Sequence, residues 1–184
     1  MARSTWTLEN RPQMPARVST ILVPVDFSTA SRAAMEQAAE IARAQGASID
    51  VVHVWDVPSY TGAALVFEAG EGGRTSASPT FAQYMHERAT SQLEAFLEPW
   101  NESGLDVTGR VLDGEPARVL LGLIQDEHFD LCVVGEREKG AREVILGSVT
   151  DALIRDAACP VVAVHVARGA EVAEPTAHAT TTAR

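Results

Sequence analysis

Positive charge is scarce in this 184-residue chain: 15 Lys and Arg stand against 25 Asp and Glu, a formal net charge of −10. Proteins that grip phosphate backbones neutralise them with Lys and Arg, so nucleic acid is not expected as a partner. An anionic membrane surface repels the chain for the same reason. The deficit is concentrated in the middle. Residues 1–17 carry +2 and residues 167–184 sum to zero, which leaves −12 on residues 18–166. No apolar run reaches the roughly 18–20 residues that cross a bilayer. No apolar stretch follows the first Arg, so a secretory signal is not expected either. Cysteine is nearly absent. Cys132 and Cys159 lie far apart and form no CxxC pair, which points to reduced thiols and a cytoplasmic protein.

What is present is the composition of a folded domain, with 46% hydrophobic and 22% charged residues. The length suits one domain. Residues 1–17 have no apolar period and residues 167–184 are rich in Ala and Thr, so both are expected to be flexible ends around a domain at 18–166.

Within that domain two periods alternate. Thr20–Val25 is a short β-branched run that reads as a buried strand, with Pro24 at its C-terminal end because it cannot donate a ladder hydrogen bond. Ser28 is a plausible N-cap. The Ala-rich stretch to Gln45 places Ala30, Ala33, Ala34, Ala38 and Ile41 on one helical face, and Gly46 closes it. Ile49–Trp55 is a second strand. Residues 56–77 form a long Gly-containing connection, and a helix is expected over about 78–99. Leu105–Leu112 alternates as a strand. Pro116 opens the next helix, at the first position where Pro is welcome. Asp130–Val134 is a buried strand ending at Gly135, a helix covers about 148–157, and 160–166 is the last strand. Strands alternating with helices imply a parallel α/β sheet with helices on both faces. Ligands of such sheets bind beyond the strands' carboxyl ends, where the strand order reverses.

Several catalytic signatures are missing. There is no GxxxxGK[ST] loop and no GxGxxG after the first strand, where VDFSTAS stands, which argues against P-loop hydrolysis and ordinary dinucleotide oxidoreductases. His86-Glu87 begins like HExxH but Thr90 stands in place of the second zinc ligand. The five histidines show no metal spacing, and His53 and His165, inside strands, read as structural imidazoles. Gly147-Ser148 is not a GxSxG elbow.

Other stretches carry specific information: ILVPVDFS at 21–28, VVHVWD at 51–56, and DLCVVGEREKGAREVILGSVTDALIRDAACPVVAV at 130–164. Together they resemble the universal stress protein family over about residues 18–166. The resemblance implies a five-stranded parallel, Rossmann-like sheet of the adenine nucleotide alpha hydrolase-like kind, a role in stress response or signalling, and a homodimer through Val161–Val166. It also implies ATP as ligand, with Mg2+ only alongside the nucleotide, and at most slow hydrolysis. Pro24, Val25, Asp26 and Val54 would line the base and sugar region, Val134 and Gly135 would continue it, and Gly147, Ser148 and Val149 would hold phosphates. A helix N-terminus offers free N–H groups and a favourable dipole to an anion.

The family's ATP-binding members resemble G-x2-G-x9-G-[ST], and here the middle Gly is lost. Gly135 and Gly147 are separated by 11 residues where the pattern has 12, and its second Gly falls on Arg137 or Glu138. Arg137, Lys139 and Arg142 could reach phosphates, yet Glu136, Glu138 and Glu143 cancel their charge. At single residues two readings stand side by side. Asp26 is a ribose or base contact, or the N-cap of the next helix. Gly135 admits phosphates or allows a turn after a strand, and Gly147-Ser148 is a phosphate nest or an ordinary helix start. At the level of the protein the alternatives are a nucleotide-binding module, a dimeric partner-binding protein with a vestigial crevice, and an adenylating enzyme. The last expects an SGGxDS-like loop that VDFSTAS does not supply.

Overall fold

The computed structural model describes residues 15–55, 81–136 and 147–166. Its first strand, β1 (Thr20–Pro24), is apolar on both faces: Ile21, Leu22 and Val23 have no solvent exposure. Such a strand is stable only in the middle of a sheet covered on both sides. Helix α1 (Thr29–Gln45) follows, with Ser28 as N-cap accepting the Ser31 N–H and Gly46 as C-cap at φ 69°. Its buried stripe is almost entirely alanine, with Met35 the one large side chain. Short side chains let the helix axis lie close to the sheet.

The chain continues through β2 (Ser48–Trp55), α2 (Phe81–Leu97) with a 3-10 turn at Glu98–Trp100, and β3 (Val107–Asp113). Helix α3 (Pro116–Glu127) is capped by Glu115, whose carboxylate accepts from the Ala117 and Arg118 N–H groups at 3.1 and 2.8 Å. Then come β4 (Leu131–Glu136), α4 (Ser148–Asp156) and β5 (Val161–His165). All pairings are parallel and the strand order is β3-β2-β1-β4-β5. The five-stranded α/β sheet expected from the alternating pattern is therefore the observed fold.

Two apolar layers sandwich this sheet. One joins α1 and α2 (Ala34, Met35, Ala38, Leu93, Phe96) to Ile21, Val23 and Val133. The other joins α3 and α4 (Leu120, Ile124, Leu153) to Leu22, Val52, Cys132 and Val134. No described helix is long and apolar enough to cross a membrane.

Polar clamps fix the end of the sheet opposite the strands' carboxyl ends. Asp130 Oδ2 accepts from the Ser19 and Thr20 N–H groups at 2.8 and 3.1 Å, tying the start of β1 to the start of β4. Arg110 on β3 is bound by Asp50 on β2 and by Glu127 at the end of α3. Both cysteines are free and buried.

One expected boundary is wrong in an informative way. β4 does not end before Gly135 but runs through it to Glu136, and Gly135 pairs with Val164 of β5. Gly135 is a strand residue, so the turn reading of this glycine falls.

Candidate functional site

The strand order reverses between β1 and β4, so the crevice beyond their carboxyl ends is the place to look for a ligand. Pro24 helps to open it. The Val25 N–H points to β2, where it donates to the Val52 carbonyl at 2.9 Å. Successive N–H groups alternate sides along a strand, so the donor that Pro24 lacks is one that would have continued toward β4. The paired positions of β1 and β4 are Ile21 with Leu131 and Leu22 with Cys132, and the strands part beyond them.

Asp26 stands on the β1 rim, exposed. Its Oδ1 accepts from the Ser31 hydroxyl at 2.7 Å and from the Ser28 N–H at 3.1 Å. Its own N–H donates to the Ser31 hydroxyl oxygen at 3.0 Å. Capping of α1 belongs to Ser28, so Asp26 is not the N-cap; it shapes the turn that delivers the cap. The turn also bends through Phe27, a bulky residue at φ 62°, a region such side chains seldom occupy. Ring contacts hold it there. Phe27 lies 4.4 Å from the His53 ring and 5.9 Å from Phe96, centroid to centroid. His53 Nδ1 lies 2.8 Å from the Val25 carbonyl oxygen, which only accepts, so Nδ1 carries the proton. The structural reading of His53 is correct.

On the other rim, Gly135 answers to packing. A Cβ there would lie 2.5 Å from the Ala30 carbonyl carbon and oxygen. Only glycine lets the first turn of α1 rest on β4 at this point. Gly147 is different. It is the N-cap of α4 at φ −57° and ψ 150°, a conformation open to any residue, and among the described residues a Cβ would meet nothing closer than Thr150 Oγ1 at 3.9 Å. As a glycine it has no side chain with which to cap this helix. Its first residue, Ser148, is exposed, and Val149 packs at the edge of the α3–α4 layer. Thr150, buried in the first turn, donates its hydroxyl to the Gly135 carbonyl at 3.2 Å and so joins the two parts of this rim.

Of the residues singled out in the sequence, Pro24 ends β1 with Val25 and Asp26 just beyond it, Val134 and Gly135 lie near the end of β4, and Gly147, Ser148 and Val149 start α4. The Val25 side chain is buried in the α1–α2 layer and that of Val134 in the α3–α4 layer. Val54 is one strand away on β2, its side chain in the α3–α4 layer. Glu136 lies at the end of β4 with its carboxylate 3.5 Å from His165 Nδ1 on β5. The other charges singled out in the loop, Arg137, Glu138, Lys139, Arg142 and Glu143, lie outside the described residues, as does 56–77. No group of three or more His, Cys, Asp or Glu that could hold a metal occurs among the described residues.

Sequence reasoning passed over Ser31 and Thr150. The D-x-S-x-x-S spacing held the signal for Ser31: a second hydroxyl one helical turn past the first reaches back to the aspartate.

The chain matches the profile of the Universal stress protein family over residues 18–165. A universal stress protein of Thermus aquaticus, encoded beside a QAH/OAS sulfhydrylase, is 31% identical over 147 residues, 79% of this chain and 97% of the relative. Among solved structures, a universal stress protein in complex with cAMP has a TM-score of 0.58 at 20% identity, covering 82% of this chain and 98% of its own. A family protein of Arabidopsis thaliana with AMP bound has a TM-score of 0.57 at 20% identity, covering 85% and 98%.

Proposed function

The chain belongs to the universal stress protein family, and on that premise we propose that it binds ATP or a related adenine nucleotide in the crevice between β1 and β4. It acts as a cytoplasmic stress-response or signalling module, without fast turnover. Gly147 carries this reading. It is a glycine whose backbone angles any residue can adopt and where a Cβ would meet nothing closer than 3.9 Å among the described residues, at the N-terminus of α4 beside the switch point. Such a position suits a phosphate that must approach backbone N–H groups closely. Asp26, acceptor-only when ionised, suits ribose hydroxyls or the adenine amino group on the other rim. The AMP and cAMP complexes of two structural neighbours support adenine as the base. Mg2+ would enter with the nucleotide's phosphates.

Equilibrium binding of labelled ATP, ADP and AMP tests this, with Asp26→Ala and Ser148→Glu as comparisons. Saturable binding that both variants weaken is expected. Its absence up to millimolar nucleotide overturns the reading.

A second reading concerns assembly, and the position of β5 favours it. β5 is an edge strand with Val161, Val162 and Val164 half-buried against the two layers. Apolar edges left bare are aggregation hazards, and pairing with β5 of a second copy removes the hazard. Sedimentation over a wide concentration range tests the homodimer; a strict monomer overturns it.

A further inference from the structure

Ser31 and Thr150 are the two buried polar side chains among the described residues, each 4% exposed. Burying a hydroxyl away from water costs free energy unless it is bonded, and among the described residues this happens at these two places. Both places are the same crevice. Each residue sits in the first turn of a helix and reaches back to the end of a strand: Ser31 of α1 to Asp26 after β1, Thr150 of α4 to Gly135 on β4. The two strands are those that flank the reversal in strand order.

We propose that Ser31 and Thr150 are positioning residues, a matched pair of braces that fix the two rims of the crevice before a ligand arrives. Ser31 holds Asp26 at two points, accepting from its amide and donating to its carboxylate, which fixes both the backbone and the side-chain direction. Thr150 sets the distance between the start of α4 and the end of β4 through one bond, Oγ1 to the Gly135 carbonyl. With both braces made, the carboxylate and the helix N-terminus are each held in place without a search for geometry, and preorganisation of this kind is repaid as affinity. The inference rests on the nucleotide reading for what the rims hold. It does not rest on it for what holds the rims.

The experiment uses four variants of the full chain: Thr150→Val, which keeps the volume and removes the hydroxyl, Thr150→Ser, which keeps the hydroxyl and removes a methyl, Ser31→Ala and Ser31→Thr. Amide hydrogen exchange reads the braces without ligand. The reporters are the Asp151 N–H, bonded to the Gly147 carbonyl at 2.9 Å, and the Asp26 N–H, with the Ile49 N–H at the opposite end of the sheet as reference. Thr150→Val should speed exchange at Asp151, Ser31→Ala at Asp26, and neither at Ile49; the hydroxyl-keeping variants should restore protection. AMP and ATP binding should weaken about tenfold in Thr150→Val and Ser31→Ala, the size of one hydrogen bond, and return toward the original value in Thr150→Ser. A role in packing alone gives the reverse order at Thr150, with Val tolerated and Ser not, and overturns the proposal. So does exchange at Asp151 and Asp26 that is the same in all variants. If the unaltered protein takes up neither AMP nor ATP, the proposed function falls, and exchange alone upholds or overturns the braces.

Discussion

The first turn of α1 fits against β4 because Gly135 has no side chain: a Cβ there would stand 2.5 Å from the carbonyl carbon and oxygen of Ala30, both backbone atoms that cannot swing away. Gly135→Ala should therefore destabilise the fold by about 1–3 kcal/mol, the usual cost of overpacking. Gly147→Ala should leave stability within about 0.5 kcal/mol, as substitutions clear of special features do. Denaturant titration of the two variants side by side measures the contrast. Equal losses would show that Gly147 also serves packing.

The thiols should be silent in the folded protein. Burial pushes the Cys132 thiol well above its ordinary value, with the nearby Cys159 adding to the rise. Burial, opposed by a backbone hydrogen bond and reinforced by Asp130, pushes Cys159 up to about 11. A disulfide reagent at pH 8 should react with both only after unfolding. The linkage has a definite sign. Folding holds these thiols protonated while the unfolded chain releases protons near 9, so the Cys159 contribution is intact below pH 9 and is lost as pH rises to about 11, and that of Cys132 falls in the same direction above pH 9. Urea midpoints at pH 8 and 10.5 should fall more steeply in the native chain than in Cys159→Ala.

Arg110 joins three elements. Its Nη1 and Nη2 lie 2.8 and 2.9 Å from the Glu127 carboxylate, and it also binds Asp50, whose side chain is 16% exposed. Arg110→Ala should cost about 1–2 kcal/mol, mostly for the half-buried Asp50, because an exposed partner such as Glu127 contributes little. The hydrogen bond from Arg110 holds the Glu127 carboxyl below its ordinary 4.5. That part of the stability is present above pH 4.5 and is lost as pH falls through the lowered value. The gap between native chain and variant should narrow in acid, which urea titration at pH 7 and pH 3.5 reads.

Asp130 is the clamp at the base of the central pair. Asp130→Ala removes the acceptor of the Ser19 and Thr20 N–H groups and should cost about 1–3 kcal/mol, the range for a donor left unsatisfied. Asp130→Asn, which keeps one carbonyl oxygen, should recover much of it. Thermal melting ranks the three proteins.

The fold was legible because its signals are local. β-branched runs, the Ala stripe of α1, Ser28 and Gly46 at its ends and Pro116 at the start of α3 each act through neighbouring residues, and each element appeared within a few positions of its expected place. Reading Gly135 as a turn failed because its reason is not local: the atoms that demand a glycine belong to Ala30, on another element. The crevice was legible as strand ends, since Asp26, Gly135 and Gly147 follow apolar runs or open helices. Its supports were not. A Ser or Thr in the first turn of a helix looks like any other, and that Ser31 and Thr150 are buried follows only from the assembled sheet.

The pairing of β1 with β4 has a consequence in time. β1 meets β2 across short stretches of chain, as in the bond from Ser48 to Ser19, 29 positions apart. It meets β4 through residues such as Thr20 and Asp130, which are 110 apart. Closing the longer loop costs more entropy, and contacts of large sequence separation slow folding. During synthesis the amino-terminal three strands leave the ribosome before the partner of β1 exists. The crevice is created only when the two halves join, so occupancy by a ligand would certify a finished molecule, and no truncated chain ending before β4 could pass that inspection.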